Sequence, residues 1–191
     1  LMSLDKYLLT YDKIEPTPEE VDKFYDDITH PFQYLTEDEQ EGLWTKMTPS
    51  WDVNVITFNY TSTLECLCES ILKPGEISYP GDRGLFIYQG IKHIHGKLGQ
   101  RAILLGVDNV DQIANTSFRE NRSVTDLMIK AQGSRVYGKS VYRDSHRLIS
   151  EASLICIFGL SLGPTDQVWW TSIKERFLAD LSVFILYFCY G

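Results

Sequence analysis

Short apolar runs that alternate with helical patterns constrain this chain more than any other feature of its sequence. Val53-Asn54-Val55-Ile56-Thr57-Phe58 is a β-branched run that reads as a buried strand. Asn59-Tyr60-Thr61-Ser62 ends it. Leu64, Leu67, Cys68, Ile71 and Leu72 then share one side of a helix that Pro74-Gly75 stops. Ile91 to His95 predicts a second strand closed by Gly96, and Ala102 to Leu105 a third closed by Gly106. The stretch 107–122 is polar and reads as loop. Helices are predicted over Val124–Lys130 and Val141–Ala152. Leu154-Ile155-Cys156-Ile157-Phe158 is the clearest buried strand; a helix starting at Thr165 or Asp166 and a last strand over Ser182–Tyr187 follow it. Strands that alternate with helices require crossover connections and so predict an α/β fold with a largely parallel sheet and flanking helices.

Residues 1–50 read as a helical lead-in or cap, and residues 51–191 as the α/β domain, the two forming one structural unit. Thr17 can cap a helix whose first turn holds Pro18, Glu19 and Glu20 and whose apolar face holds Val21, Phe24 and Tyr25. Thr36-Glu37-Asp38-Glu39 repeats that logic ahead of Leu43 and Trp44. The first residues lie inside a helical pattern and the last follow a strand directly, which reads as part of a longer protein.

A length of 191 residues with 43% hydrophobic content suits one domain with its own core. The net charge of −8 disfavours non-specific binding to phosphate backbones. The one basic stretch, 119–147 (Arg119, Arg122, Lys130, Arg135, Lys139, Arg143, Arg147), reads as a solvated helical surface. On a helix Cys66 and Cys68 point about 200° apart and cannot share a metal. Cys156 and Cys189 lie in apolar runs, so the four cysteines read as buried free thiols of a reducing compartment, the cytoplasm. There is no signal-peptide pattern, and the apolar run Val183–Tyr190 is far shorter than the roughly 20 residues of a membrane helix. No membrane partner is expected.

Open parallel sheets bind ligands beyond the carboxyl ends of their strands. Three polar clusters take that position: Thr57-Phe58-Asn59-Tyr60-Thr61, His93-Ile94-His95-Gly96 and Gly159-Leu160-Ser161-Leu162-Gly163. If their strands are neighbours, Asn59, His95 and Ser161 converge on one crevice. Taken alone, Asn59 reads first as a turn or helix-entry residue. His93 and His95 share a strand face, but no cysteine or carboxylate nearby in sequence completes a metal set, so no metal is expected. A histidine before glycine at an exposed strand tip suits a general base. Gly159 to Gly163 has the spelling of a nucleophile elbow, yet no histidine occurs after His146, which excludes the order of partners such hydrolases need.

Taken in order, several segments resemble the bacteriophage abortive-infection AbiH family across about residues 50–190. They are Val55 to Glu65, Ile94-His95-Gly96, Leu104 to Asp108, Asn115 to Lys130, and Ile157 to Asp166 followed by Trp169-Trp170. That family in turn is similar to sirtuin-like NAD-binding domains. The resemblance implies a Rossmann-like, sirtuin-like sheet in an antiphage defence protein that cleaves NAD at the nicotinamide–ribose bond. By position, Asn59 would orient the attacking water or the ribose, and His95 would be the general base. Thr57, Gly159, Ser161 and Asp166 would line the nucleotide pocket. Two departures stand out. Thr61 occupies the place where sirtuin-like domains carry Asp, and nothing before residue 50 has the glycine-rich strand-to-helix turn that cradles phosphates, so that first strand reads as missing. The alternative is a non-enzymatic module that senses a phage protein or assembles with copies of itself, its crevice vestigial. Trp169 and Trp170 would serve such contacts, although adjacent tryptophans on one helix more often divide between core and surface. A toxin acting on nucleic acid through the 119–147 stretch is opposed by the overall acidity.

Overall fold

The structure is a computed structural model that describes residues 6, 9–10, 16–45, 50–69, 75, 77–78, 85–99, 103–130, 139–159 and 163–188. The chain is mixed α/β and divides into two compact units, Leu1–Thr57 with Thr61–Lys92, and Phe58–Tyr60 with His93–Gly191.

The first unit begins with α1 (Pro18–Thr29), a 3-10 turn at Pro31–Tyr34 and α2 (Glu37–Trp44). Both helices start as the sequence predicts. The Thr17 hydroxyl accepts the Glu20 N–H while the Glu20 carboxylate accepts the Thr17 N–H, and Thr36 and Glu39 repeat the exchange. Such reciprocal caps satisfy donors that a helix start otherwise leaves open, and each cap side chain contributes about 1 kcal/mol. Strand β1 (Ser50–Thr57), α3 (Thr63–Glu69), β2 (Ile77–Ser78) and β3 (Leu85–His93) follow. Phe32 stacks on Trp51 at 4.2 Å and leans on Trp44 at 4.5 Å, and Trp51 meets Phe86 edge-on. With Ile28, Leu43, Cys68 and Tyr88 these rings form the core of the unit. The helical spacing of the two cysteines holds, but only Cys68 is buried; Cys66 is exposed, contrary to the expectation for it.

The second unit carries α4 (Thr116–Arg119), α5 (Arg122–Met128), α6 (Lys139–Glu151), β4 (Leu154–Phe158), a 3-10 turn at Pro164–Asp166, α7 (Gln167–Ala179) and β5 (Phe184–Phe188). The stretch expected as loop contains two short helical turns, Val110–Gln112 and Thr116–Arg119, and the helix expected from Val124 starts at Arg122. Each is started by an asparagine (Asn109, Asn115, Asn121) whose side-chain oxygen accepts an N–H two residues on. Strand β4 falls on the predicted residues. It pairs in parallel with β5, from Leu154 opposite Phe184 to Phe158 opposite Phe188, with α7 as the crossover. Helix α6 packs on α7.

The sheet departs from the expectation. Among the described residues the strands form two sheets, one ordered β1-β3-β2 and one of β4 with β5. In the first, β2 runs antiparallel to β3, with Ile77 opposite Ile87. Only six residues separate the two strands in sequence, fewer than the dozen or so that a parallel crossover needs. Strand β3 starts earlier than predicted and stops at His93, two residues before the expected end. The strand expected over Ala102–Leu105 is absent from 103–105, because Leu104 N–H donates to the His95 carbonyl and Leu104 C=O accepts the Tyr60 hydroxyl. Those backbone groups serve loop contacts instead of a ladder. Among the described residues no helix is long and apolar enough to cross a membrane.

Candidate functional site

Two polar side chains of the second unit meet on one carboxylate oxygen of a third. His95 follows β3 in a turn that Gly96 closes at φ 82°, a left-handed conformation that favours glycine. Residues on either side of it are tied to Phe58–Tyr60. His93 Nδ1–H donates to the Asn59 carbonyl at 2.8 Å, and Leu98 N–H donates to the Tyr60 carbonyl at 2.8 Å. Phe58 stands edge-on to the His95 ring at 5.5 Å.

Asp166 sits at the start of α7, where an aspartate ordinarily caps the helix with its own side chain. Here it makes no capping bond. Asp108 supplies the acceptor instead: its Oδ2 receives the Val168 N–H at 3.0 Å. Gln112 fixes that loop, accepting the Asp108 N–H and donating to the Pro164 carbonyl, each at 2.8 Å. The Asp166 carboxylate is thereby released to face His95.

Lys130 arrives by a one-residue parallel bridge between Val107 and Ile129, in which Val107 N–H donates to Met128 C=O and Lys130 N–H donates to Val107 C=O, both at 2.9 Å. Gly106 permits that approach, since a Cβ there would lie 1.9 Å from the Met128 carbonyl oxygen. Gly106→Ala is therefore expected to destabilise the chain by about 1–3 kcal/mol through forced backbone displacement. Urea unfolding reads this out, and an unchanged midpoint would show that the bridge yields without cost.

The result is a compact triangle. His95 Nε2 and Lys130 Nζ each lie 2.8 Å from Asp166 Oδ1 and 3.5 Å from one another. Lys130 Nζ also donates to the Thr165 carbonyl at 3.1 Å. The side chains of His95, Lys130 and Asp166 are 5%, 11% and 21% exposed, so little water competes for these contacts. Burial pushes the Asp166 carboxyl upward. The hydrogen bonds that His95 and Lys130 donate to it, and then the charge beside it, outweigh burial and bring the group down to about 2. Burial, and then the charge of Asp166, push the Tyr60 hydroxyl up to about 12. Asp108 is raised by burial against the opposing pull of the Val168 N–H. A cavity of about 10 Å³, room for a single water molecule, opens beside the triangle between His95, Asp108, Lys130, Leu104 and Trp169.

Comparison with known families decides the kinship: a family described as bacteriophage abortive infection AbiH matches residues 5–187. The chain belongs to the AbiH family. The match reaches well ahead of the 50–190 span in which the resemblance was read, taking in the N-terminal helices. Comparisons with curated proteins and with solved structures give no match.

Within this AbiH chain the expected site residues are distributed as follows. His95 and Asp166, 71 residues apart, are in direct contact. His95 is buried at 4% exposure rather than displayed at a strand tip, because it falls in the turn beyond β3. Asn59 is exposed, and its carbonyl receives His93. Thr57 is buried at the end of β1 in the first unit. Gly159 is exposed just after β4 with φ 56°. Ser161 lies outside the described residues.

Lys130 and Asp108 were not read as site residues. Lys130 was placed in a solvated basic surface, and its burial corrects that. Elsewhere in the stretch, Arg119 donates to the carbonyls of Ile113 and Asp111, while Arg143 and Arg147 pair with Asp144 and Glu151. Arg135 lies outside the described residues. The usable signal for Lys130 was its place directly after the apolar Ile129. Of the two tryptophans, Trp169 is buried and Trp170 is half-buried, stacked on Phe58 at 5.7 Å.

Proposed function

We propose that this AbiH-family chain acts in antiphage abortive infection as an enzyme, with His95 as general base and NAD, cut at the nicotinamide–ribose bond, as substrate. The family match supports the defence role. The observation that carries the enzymatic reading is the 2.8 Å contact of the buried His95 Nε2 with a half-buried, ionised Asp166. A carboxylate in that position orients an imidazole, fixes its tautomer and stabilises the cation formed when it takes a proton. Gathering a histidine, a lysine and an aspartate out of water is costly, and such clusters concentrate at functional sites.

In the proposed reaction the C1′–N bond of NAD breaks and its electron pair leaves with nicotinamide. The oxygen of a water molecule bonds to C1′, and His95 takes the proton that this water loses. The centre passes through an oxocarbenium-like state, so placement of the water matters more than a strong nucleophile. The water-sized cavity beside His95 is a place from which such a molecule can be drawn. Asn59 is assigned the orientation of water or ribose, and Gly159, Ser161 and Asp166 the nucleotide pocket.

The test incubates the full chain with NAD, with and without phage lysate, and measures free nicotinamide. Turnover is expected, with a loss of about 10²–10⁴-fold in His95→Ala. Turnover retained in that variant removes His95 from the mechanism. A chain that protects cells from phage yet releases no nicotinamide keeps its defence role and loses NAD as substrate.

A further inference from the structure

We infer that Lys130 is a positioning residue for His95, acting through the Asp166 carboxylate oxygen that the two side chains share. This rests on the reading of His95 as the base and adds a residue to it. The geometry leaves few options. An ammonium group has donors only, and Asp166 is ionised. A bare Nε2 lone pair held 2.8 Å from a carboxylate oxygen would set two acceptors against each other, so Nε2 carries a hydrogen and donates it to Oδ1. The 3.5 Å approach of Nζ to Nε2 is then donor beside donor, both aimed at one oxygen.

Two consequences follow for the imidazole. Its basic nitrogen is Nδ1, whose lone pair alone can take a proton. The neighbouring ammonium supplies the charge that balances Asp166 and holds the shared oxygen in place. Lys130 thus fixes the acceptor that keeps His95 in one tautomer. It is itself held by three fixed points: the Thr165 carbonyl, Asp166, and the Val107–Ile129 bridge through its own N–H. A solvated surface lysine has no such restraints.

Ring ¹⁵N spectra of the full chain at about pH 9, above the ordinary imidazole range, test this, with the His95 signals assigned by their loss in His95→Gln. The wild type is expected to show one protonated nitrogen, Nε2, and one bare nitrogen, Nδ1. Lys130→Met is expected to leave the carboxylate unanchored, so that the two tautomers mix and the two ring signals move toward each other, and Lys130→Arg to restore the wild-type pattern. If Lys130→Met fails to fold, Lys130→Gln removes the charge while keeping a donor and carries the same expectation. A hydrogen on Nδ1 in the wild type, or a pattern unchanged when the charge is removed, overturns the inference. The spectrum needs no substrate, so absence of nicotinamide release beside the expected pattern would count against NAD alone.

Discussion

Trp169→Ala is expected to lower the stability of the folded chain by about 3–5 kcal/mol, the usual cost of truncating a buried tryptophan to alanine. Trp169 is 2% exposed. Its ring stacks on His146 at 4.4 Å, leans on Tyr142 at 4.9 Å and meets Phe58 edge-on at 6.3 Å. One side chain of α7 therefore joins α6 to the Phe58–Tyr60 segment, and its removal takes one contact from each of three aromatic rings. His146 is affected as well. Burial already pushes its imidazole below the ordinary value, against the opposing charge of Glu175, and Ser172 stands 2.8 Å from its Nδ1. Urea unfolding followed by far-ultraviolet circular dichroism measures the loss. Trp169→Phe, which keeps a ring, is expected to recover much of it. An alanine variant within about 1 kcal/mol of wild type would show that the neighbouring rings close over the gap.

Asp166→Ala is expected to cost about 3–5 kcal/mol at neutral pH, because it leaves a mostly buried ammonium without its counter-charge. The effect has a definite pH signature. The Asp166 carboxyl titrates near 2 in the folded chain against an ordinary value of 3.8. A depressed folded value means stabilisation that is complete above the unfolded value and lost as pH falls through the folded one, here between about 4 and about 2. The difference amounts to roughly 2 kcal/mol. Unfolding measured at several pH values should thus find wild type and variant far apart at neutrality and closer by about that amount below pH 2. A gap of constant size across the window would mean that Asp166 is not the ionised partner of the pair.

What the sequence made legible was local. The helix starts at Thr17 and Thr36 stand where spacing placed them, and the structure closes each with Glu20 or Glu39 as a reciprocal cap, because a cap needs only residues three apart. Strand β4 was readable from five consecutive apolar residues. The failures share a physical cause. Ile103 to Leu105 have the composition of a strand, yet a ladder needs a partner, and the backbone of Leu104 is bound to His95 and Tyr60. His95 was recognised from its neighbours, but its burial and its contact with Asp166 depend on packing between segments 71 residues apart. Lys130 was hidden because a lysine in a basic stretch is usually solvated. Only the bridge to Val107, made possible by Gly106, turns it inward.

The path of the chain between its two units limits how the molecule can be dissected. Phe58, Asn59 and Tyr60 are a tripeptide that belongs with residues 93–191 yet is flanked on both sides by residues of the other unit. A gene fragment starting at residue 93 would omit the ring stacked on Trp170 and the hydroxyl that reaches Leu104. No single cut releases the histidine-bearing half with all its parts. Subcloning, proteolytic trimming and the grafting of either half onto a relative all meet this same interleaving.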